Sequence, residues 1–234
     1  MDCVEATGGG FCARVVAMFQ LQLDGRSAAE CRILCLGAHA DDIEIGCGGT
    51  ILRLLKAYPN AEVYWVVFSA PGTRRREAKN SARSFLAACR KKTILVKNFR
   101  ESFFPFRGEA IKGCFEGIKA RFSPDVILTH YRHDLHQDHR MISEFSWNTF
   151  RKHLILEYEI PKYDGDLGSP NTFVSLGSEV CKEKVAKLFQ HFVSQRSKQW
   201  FTEDLFFSLL RLRGVEANSA TKYAEAFYCR KWVL

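Results

Sequence analysis

One local pattern, used twice, limits most what this chain can fold into: a short apolar run that breaks into a loop crowded with histidine and aspartate. Arg32-Ile33-Leu34-Cys35-Leu36-Gly37-Ala38 is the first such run, and Pro124-Asp125-Val126-Ile127-Leu128-Thr129-His130 is the second. Nearly continuous apolar runs of this length read as strands buried on both faces of a parallel sheet. Residues 63–68 and 93–96 read the same way. Helical periods lie between them: residues 46–57 with Ile51, Leu54 and Leu55 on one face, residues 74–89 through Ala78, Ala82, Phe85 and Leu86, and residues 109–122. Strands alternating with helices build right-handed βαβ units. The expected fold is α/β, a Rossmann-like three-layer sandwich with a mostly parallel sheet. Ligands of such sheets bind beyond the carboxyl ends of strands, and both His/Asp clusters fall there.

The chain has 234 residues, 47% of them hydrophobic, which suits one domain with a real core. Residues 1–30 carry Gly8-Gly9-Gly10 and no clear period, so they read as an N-terminal extension, with a short strand or helix near residues 15–23. Residues 31–234 read as the domain. The formal net charge of +8 is spread along the chain in short runs such as Arg74-Arg75-Arg76. No long basic block suggests a nucleic-acid arm. Nine cysteines without CxxC spacing argue against a disulfide framework or a zinc knuckle, and point to buried thiols in a reducing compartment. No apolar run approaches the roughly 20 residues of a membrane span. The expected location is cytoplasmic.

The first cluster is His39-Ala40-Asp41-Asp42-Ile43-Glu44. Zinc takes histidine nitrogen and carboxylate oxygen, and a catalytic zinc leaves one position for water. Two adjacent carboxylates on a tight loop diverge, so one can bind metal while the other serves as general base. The plainer reading is that Asp41 or Asp42 caps the following helix. Gly46-Cys47-Gly48-Gly49-Thr50 comes next. It lacks the P-loop lysine and the GxGxxG order, so close backbone packing is favoured over phosphate binding. The second cluster, residues 130–139, holds four of the seven histidines. If His139 joins His39 and Asp42, two nitrogens and one carboxylate make a usual catalytic zinc shell. His136, oriented by Asp138, would then stand off the metal as an imidazolium.

Ala38-His39-Ala40-Asp41-Asp42 through Thr50 closely resembles the signature of the LmbE-like and PIG-L family of N-acetylglucosaminyl de-N-acetylases. His136-Gln137-Asp138-His139 resembles its second motif, with Asp134-Leu135 before it and Arg140 after it. Arg74-Arg75-Arg76-Glu77, Ser194-Gln195, Arg213-Gly214 and Tyr223-Ala224-Glu225-Ala226-Phe227 extend the likeness towards the C-terminus. Ala40 stands where the family usually has proline, which stiffens the loop but supplies no ligand. The resemblance implies zinc on His39, Asp42 and His139. It also implies Asp41 as general base, His136 as electrostatic stabiliser or acid held by Asp138, and Arg74 at the substrate, with Arg75 and Arg76 as rivals. The implied reaction is hydrolysis of an acetamide to acetate and a free amino sugar, with Zn2+ as cofactor.

The expected partner is a small soluble N-acetylated sugar conjugate; self-association into a homo-oligomer is compatible with this reading. Two other classes compete. A metal-dependent phosphoesterase also uses His/Asp loops at strand ends, often around two metals bridged by carboxylates. A non-catalytic sugar- or nucleotide-binding module would not need Asp41 and His136 beside a metal shell. Phe103, Phe104 and Phe106 could stack on a sugar, although core packing is the safer reading.

Overall fold

The computed structural model describes residues 31–232, so the expected N-terminal extension lies outside the described residues. The first strand, β1, is Arg32–Gly37; α1 is Asp42–Ala57, β2 Glu62–Val67, α2 Thr73–Phe85 and β3 Lys91–Val96. After a 3-10 turn at Phe104–Arg107 come α3 (Gly108–Lys119), β4 (Val126–His130), α4 (Gln137–Thr149) and β5 (Leu154–Tyr158). The chain ends with β6 (Thr172–Leu176), α5 (Ser178–His191), α6 (Glu203–Glu216) and β7 (Tyr223–Tyr228). One 7-stranded sheet has the order β3-β2-β1-β4-β5-β7-β6. Strands β1 to β5 pair in parallel. Among the described strands β7 alone runs against the other six, pairing antiparallel with β5 on one side and β6 on the other.

The alternation of strand side chains builds the three layers. Ile33 and Cys35 of β1 face a cluster with Ile51 and Leu55 of α1, Ala82 and Phe85 of α2, and Leu188 of α5. Leu34 and Leu36 face the other side, against Ile111 and Phe115 of α3 and Ile142 of α4. Both faces are covered, which is why β1 reads as an unbroken apolar run. From β1 the chain winds outward through β2 and β3, then returns to lay β4 on the opposite side. The order reverses between β1 and β4, and in open α/β sheets ligands bind beyond the carboxyl ends of the strands at such a reversal.

Helix α1 starts four residues earlier than its period predicts and is broken inside. Cys47 leaves helical geometry, at φ −145° and ψ 17°. A Cβ on Gly46 would lie 2.1 Å from the ring of Tyr158, so the glycine lets β5 press its tyrosine against the helix. The seven described cysteines are free, and all but Cys114 are buried. No helix among the described residues is long and apolar enough to cross a membrane.

Candidate metal centre and active site

The two His/Asp loops meet at the reversal point. His39 and Asp41 lie in the turn after β1, and Asp42 opens α1. His130 ends β4. The chain then turns into α4 because His136 caps it: its Nδ1 accepts from the amide of Asp138 at 3.2 Å. That places Asp138 and His139 in the first helical turn, where both meet His39.

Three donor atoms converge there. His39 Nδ1 is 3.1 Å from His139 Nε2 and 3.4 Å from Asp42 Oδ2. His139 Nε2 is 3.6 Å from the same Asp42 oxygen. Zinc–ligand lengths of about 2.0–2.1 Å in a tetrahedral shell set neighbouring donors roughly 3.4 Å apart. The outer nitrogens fix the tautomers. His39 Nε2 donates to Asp138 Oδ2 at 3.1 Å, and His139 Nδ1 donates to Asp134 Oδ2 at 2.9 Å. Each ring therefore turns a lone pair towards the carboxylate of Asp42, in the carboxylate–histidine arrangement that supports metal ligands. Two facing lone pairs beside a carboxylate repel unless a cation lies among them. Burial works against charge on His39, but Asp42 and Asp138 overcome it and lift its pKa to about 10. Burial, with His130, pushes His139 down to about 3. A proton on His39 is what the protein alone offers these atoms; a divalent cation satisfies all three, so the donor set fits zinc.

Two other triads have ligand atoms within 4.8 Å of one another: His39, His136 and His139, and Asp42, His130 and His139. In the second, His130 Nε2 already accepts from the amide of Ala38 at 2.9 Å. In the first, Nδ1 of His136 is committed to the Asp138 amide. That leaves Nε2–H as the donor His136 presents, with its ring centroid 4.8 Å from that of His39 and 4.6 Å from that of His139.

The expected contact from the Asp138 carboxylate to His136 is not made. Asp138 instead accepts from the amides of Ser102 (2.7 Å) and Phe104 (3.2 Å), besides His39. The helix start turns its side chain away from the capping residue, towards the loop after β3. The expected imidazolium is not favoured either, because burial and then His39 lower the pKa of His136. Asp41 Oδ1 accepts from Arg74 Nη2 at 2.6 Å. Burial raises the Asp41 carboxyl above its ordinary range, and Arg74 offsets this only in part. Among the three arginines, Arg74 reaches the site; Arg75 donates to the carbonyl of Val96, and Arg76 is exposed. Phe104 is buried in the core, whereas Phe106 is 80% exposed.

Several residues at the site carried no assigned role from sequence. Asp134 orients His139, caps the loop by accepting from His136 N at 2.8 Å, and pairs with Lys162 at 3.0 Å. Its place in the second motif was the available signal. His130 stacks on His139 with centroids 4.0 Å apart and lies 3.1 Å from Asp42 Oδ2. Tyr158 donates to the carbonyl of Leu36 at 2.7 Å, beside His130. Its position at the end of an undetected strand gave no signal. Glu44 is fully buried, and burial, offset only in part by Ser81, raises its pKa well above the carboxylate range.

The profile of the PIG-L family, described as GlcNAc-PI de-N-acetylase, matches residues 34–150, half of the chain and both His/Asp loops. The chain belongs to the PIG-L family. A curated Escherichia coli (strain K12) relative, the uncharacterized deacetylase YaiS, is 29% identical over 170 residues, covering 68% of this chain and 89% of its own. Among solved structures, N,N'-diacetylchitobiose deacetylase from Pyrococcus horikoshii superposes with a TM-score of 0.67 at 20% identity, covering 91% of this chain and 87% of its own. GalB, the 4-carboxy-2-hydroxymuconate hydratase from Pseudomonas putida KT2440, reaches the same TM-score at 16% identity, over 87% of this chain and 97% of its own. These two share the fold. A fold that carries both a deacetylase and a hydratase leaves the reaction to be argued from the site.

Proposed function

We propose that this PIG-L family deacetylase uses zinc to hydrolyse the acetamide of an N-acetylamino sugar or sugar conjugate, releasing acetate and the free amine. The observation that supports this most is the convergence of His39 Nδ1, His139 Nε2 and Asp42 Oδ2 within 3.6 Å of one another, with Asp41 and His136 beside them.

In this reading His39, Asp42 and His139 hold the metal, which when bound would polarise the acetyl carbonyl and acidify water at its open position. Asp41 takes the proton of the attacking water; its raised pKa makes it a better base than an exposed aspartate. His136 donates its Nε2–H to the oxyanion and needs no charge to do so. Asp41 then returns the proton to the departing nitrogen as the C–N bond breaks, so one carboxyl serves as base and acid in turn. Asp138 acts through His39, holding that ring rather than His136. Arg74 steadies Asp41 and stands at the mouth for substrate.

The phosphoesterase alternative often requires two metals sharing a carboxylate. Both further candidate triads draw on the same His139, so they cannot be filled independently. The amides of Gly49 and Thr50, where a phosphate-binding glycine loop would use them, are taken by the carboxylate of Glu225. The test is a panel of N-acetylated sugars, sugar conjugates and phosphoesters incubated with zinc-loaded protein. Release of acetate and primary amine in equal amounts is expected; release of phosphate without acetate would overturn the proposal.

A further inference from the structure

Helix α1 carries Asp42 in its first turn, and its break falls between that turn and the rest of the helix. A segment of five residues cannot hold its own orientation as a helix. What grips it at the break therefore decides where Asp42 points. A break frees carbonyls before it and amides after it, and both need partners when buried.

One buried ion pair supplies them. Lys184, from α5, donates to the carbonyl of Ile45 at 2.6 Å, on the near side of the break. Glu225, from β7, accepts from Gly49 N at 2.8 Å and Thr50 N at 2.6 Å, on the far side. The two side chains meet at 2.7 Å. Their signs match the ends they cap: the carboxylate lies at the amino end of the second segment, the ammonium at the carboxyl end of the first. Lys184 is 3% and Glu225 4% exposed. Burying two charges is costly, and an ion pair alone gives little net stability in return. Every side-chain hydrogen bond described for this pair nevertheless bears on the break or on the pair itself. At the other end of the segment, the amide of Ile45 bonds the carbonyl of Asp41 at 3.0 Å, and Asp42 Oδ2 accepts from His39 N.

We infer that Lys184 and Glu225 are positioning residues for the metal centre, acting through the broken helix to aim Asp42 and its neighbour Asp41. The inference rests on the metal site proposed above. It predicts a defect in metal affinity that loss of stability does not explain. The discriminating variant is Lys184→Met combined with Glu225→Gln, which removes both charges together and strands neither. Zinc affinity is read by competition with a chromophoric chelator, folding by circular dichroism and thermal melting of the metal-free protein. The double variant should fold with a melting curve close to that of the unaltered chain yet bind zinc about 10- to 100-fold more weakly, the range for residues that orient ligands. Unchanged zinc affinity in the folded double variant overturns the inference. Should the double variant not fold, Glu225→Asp keeps the charge and shortens its reach; it should lose hydrogen-exchange protection at Gly49 and Thr50 together with zinc affinity, and loss of protection with full affinity overturns the inference. An unaltered chain that binds no zinc is a different failure, that of the metal site itself.

Discussion

Residues 32–149 and 154–228 divide the work of this protein differently. The first stretch lays down β1 to β4 in parallel and contains every residue proposed to touch metal or substrate. The second adds β5, then inserts the antiparallel β7 before β6. Its contribution to the centre is indirect: Lys162 on Asp134, Tyr158 beside His130, Ser194 on Glu77, and Glu225 on the amides of α1. The proposed chemistry is thus local in sequence, packed into two loops at strand ends with Arg74 at the start of α2. The support comes from residues far along the chain. Changes in the first stretch should strike metal and turnover; changes in the second should strike stability or the aim of the ligands.

The largest effect should come from the ligands. His139→Ala is expected to lower zinc content and activity together, with affinity falling by more than the roughly 10- to 100-fold typical of supporting residues; full zinc stoichiometry in that variant breaks the assignment. Asp42→Asn should behave alike, with activity partly restored by excess zinc. Asp41→Asn separates the neighbouring carboxylates. It should keep zinc and lose about 10² to 10⁴-fold in kcat, the usual range for a general acid–base residue. Metal lost from the Asp41 variant and kept in the Asp42 variant would reverse the two roles.

Arg74→Ala should produce a smaller, pH-dependent change. In the proposed reaction Asp41 works deprotonated, so activity should be lost as pH falls through its pKa. Arg74 is the cation that lowers that pKa. Removing it should move the acid limb of the kcat/KM profile to higher pH, and a shift to lower pH would show that Arg74 does not act on Asp41.

The same division explains how much could be read from sequence. The strands at 32–38, 63–68 and 124–130 were legible because burial on both faces leaves almost no polar residue in them, whereas β3 at the sheet edge, with Lys91, Lys92 and Thr93 exposed, was legible only through Ile94-Leu95-Val96. Strand β5 was not, because Glu157 cuts the apolar run Leu154-Ile155-Leu156 short after three residues. That glutamate is fully buried and accepts from the indole of Trp147 and the amide of Arg132, partners that periodicity cannot foresee. Strand β6 is half-buried at the sheet edge and shows little alternation. At the site, ligand types and spacing announced the two loops. The bonding of Asp138 did not follow, because Ser102 and Phe104 approach from a loop more than thirty residues away. The early start of α1 was hidden because Asp42-Ile43-Glu44-Ile45 reads as a continuation of the His/Asp loop, and the break at Cys47 separates that turn from the rest of the helix.

Gly214→Ala tests the second stretch where no chemistry is near. A Cβ there would lie 2.1 Å from the carbonyl oxygen of Lys222, a backbone atom that cannot swing aside. The turn from α6 to β7 would have to open. The expected cost is about 1–3 kcal/mol, as for other overpacked sites, read as a lower thermal midpoint. Zinc affinity of the molecules that remain folded should change less than in the Lys184 and Glu225 variants. Equal loss of affinity would mean that any slackening of this half misaims the ligands.

The smallest effect should appear within a single loop of the first stretch. Phe104 is fully buried and packs with Phe115 and Ile142, and its ring lies 6.0 Å from that of His39. Phe106 lies two residues on and is 80% exposed, touching only the ring of Phe103 among the described aromatic contacts. Phe104→Ala should cost about 3–5 kcal/mol through lost burial and a cavity. Phe106→Ala should stay within about 0.5 kcal/mol, as surface changes do, so its melting curve should be nearly unchanged. Steady-state kinetics on the sugar panel then reads what stability cannot. A ring that stacks on the sugar equally in ground and transition states would, when removed, raise KM and leave kcat alone. A ring that touches nothing changes neither. Unchanged kinetics is the expected result for Phe106→Ala, because no described contact ties this side chain to the His/Asp loops, whereas Phe104 is held there by the bond from its own amide to Asp138.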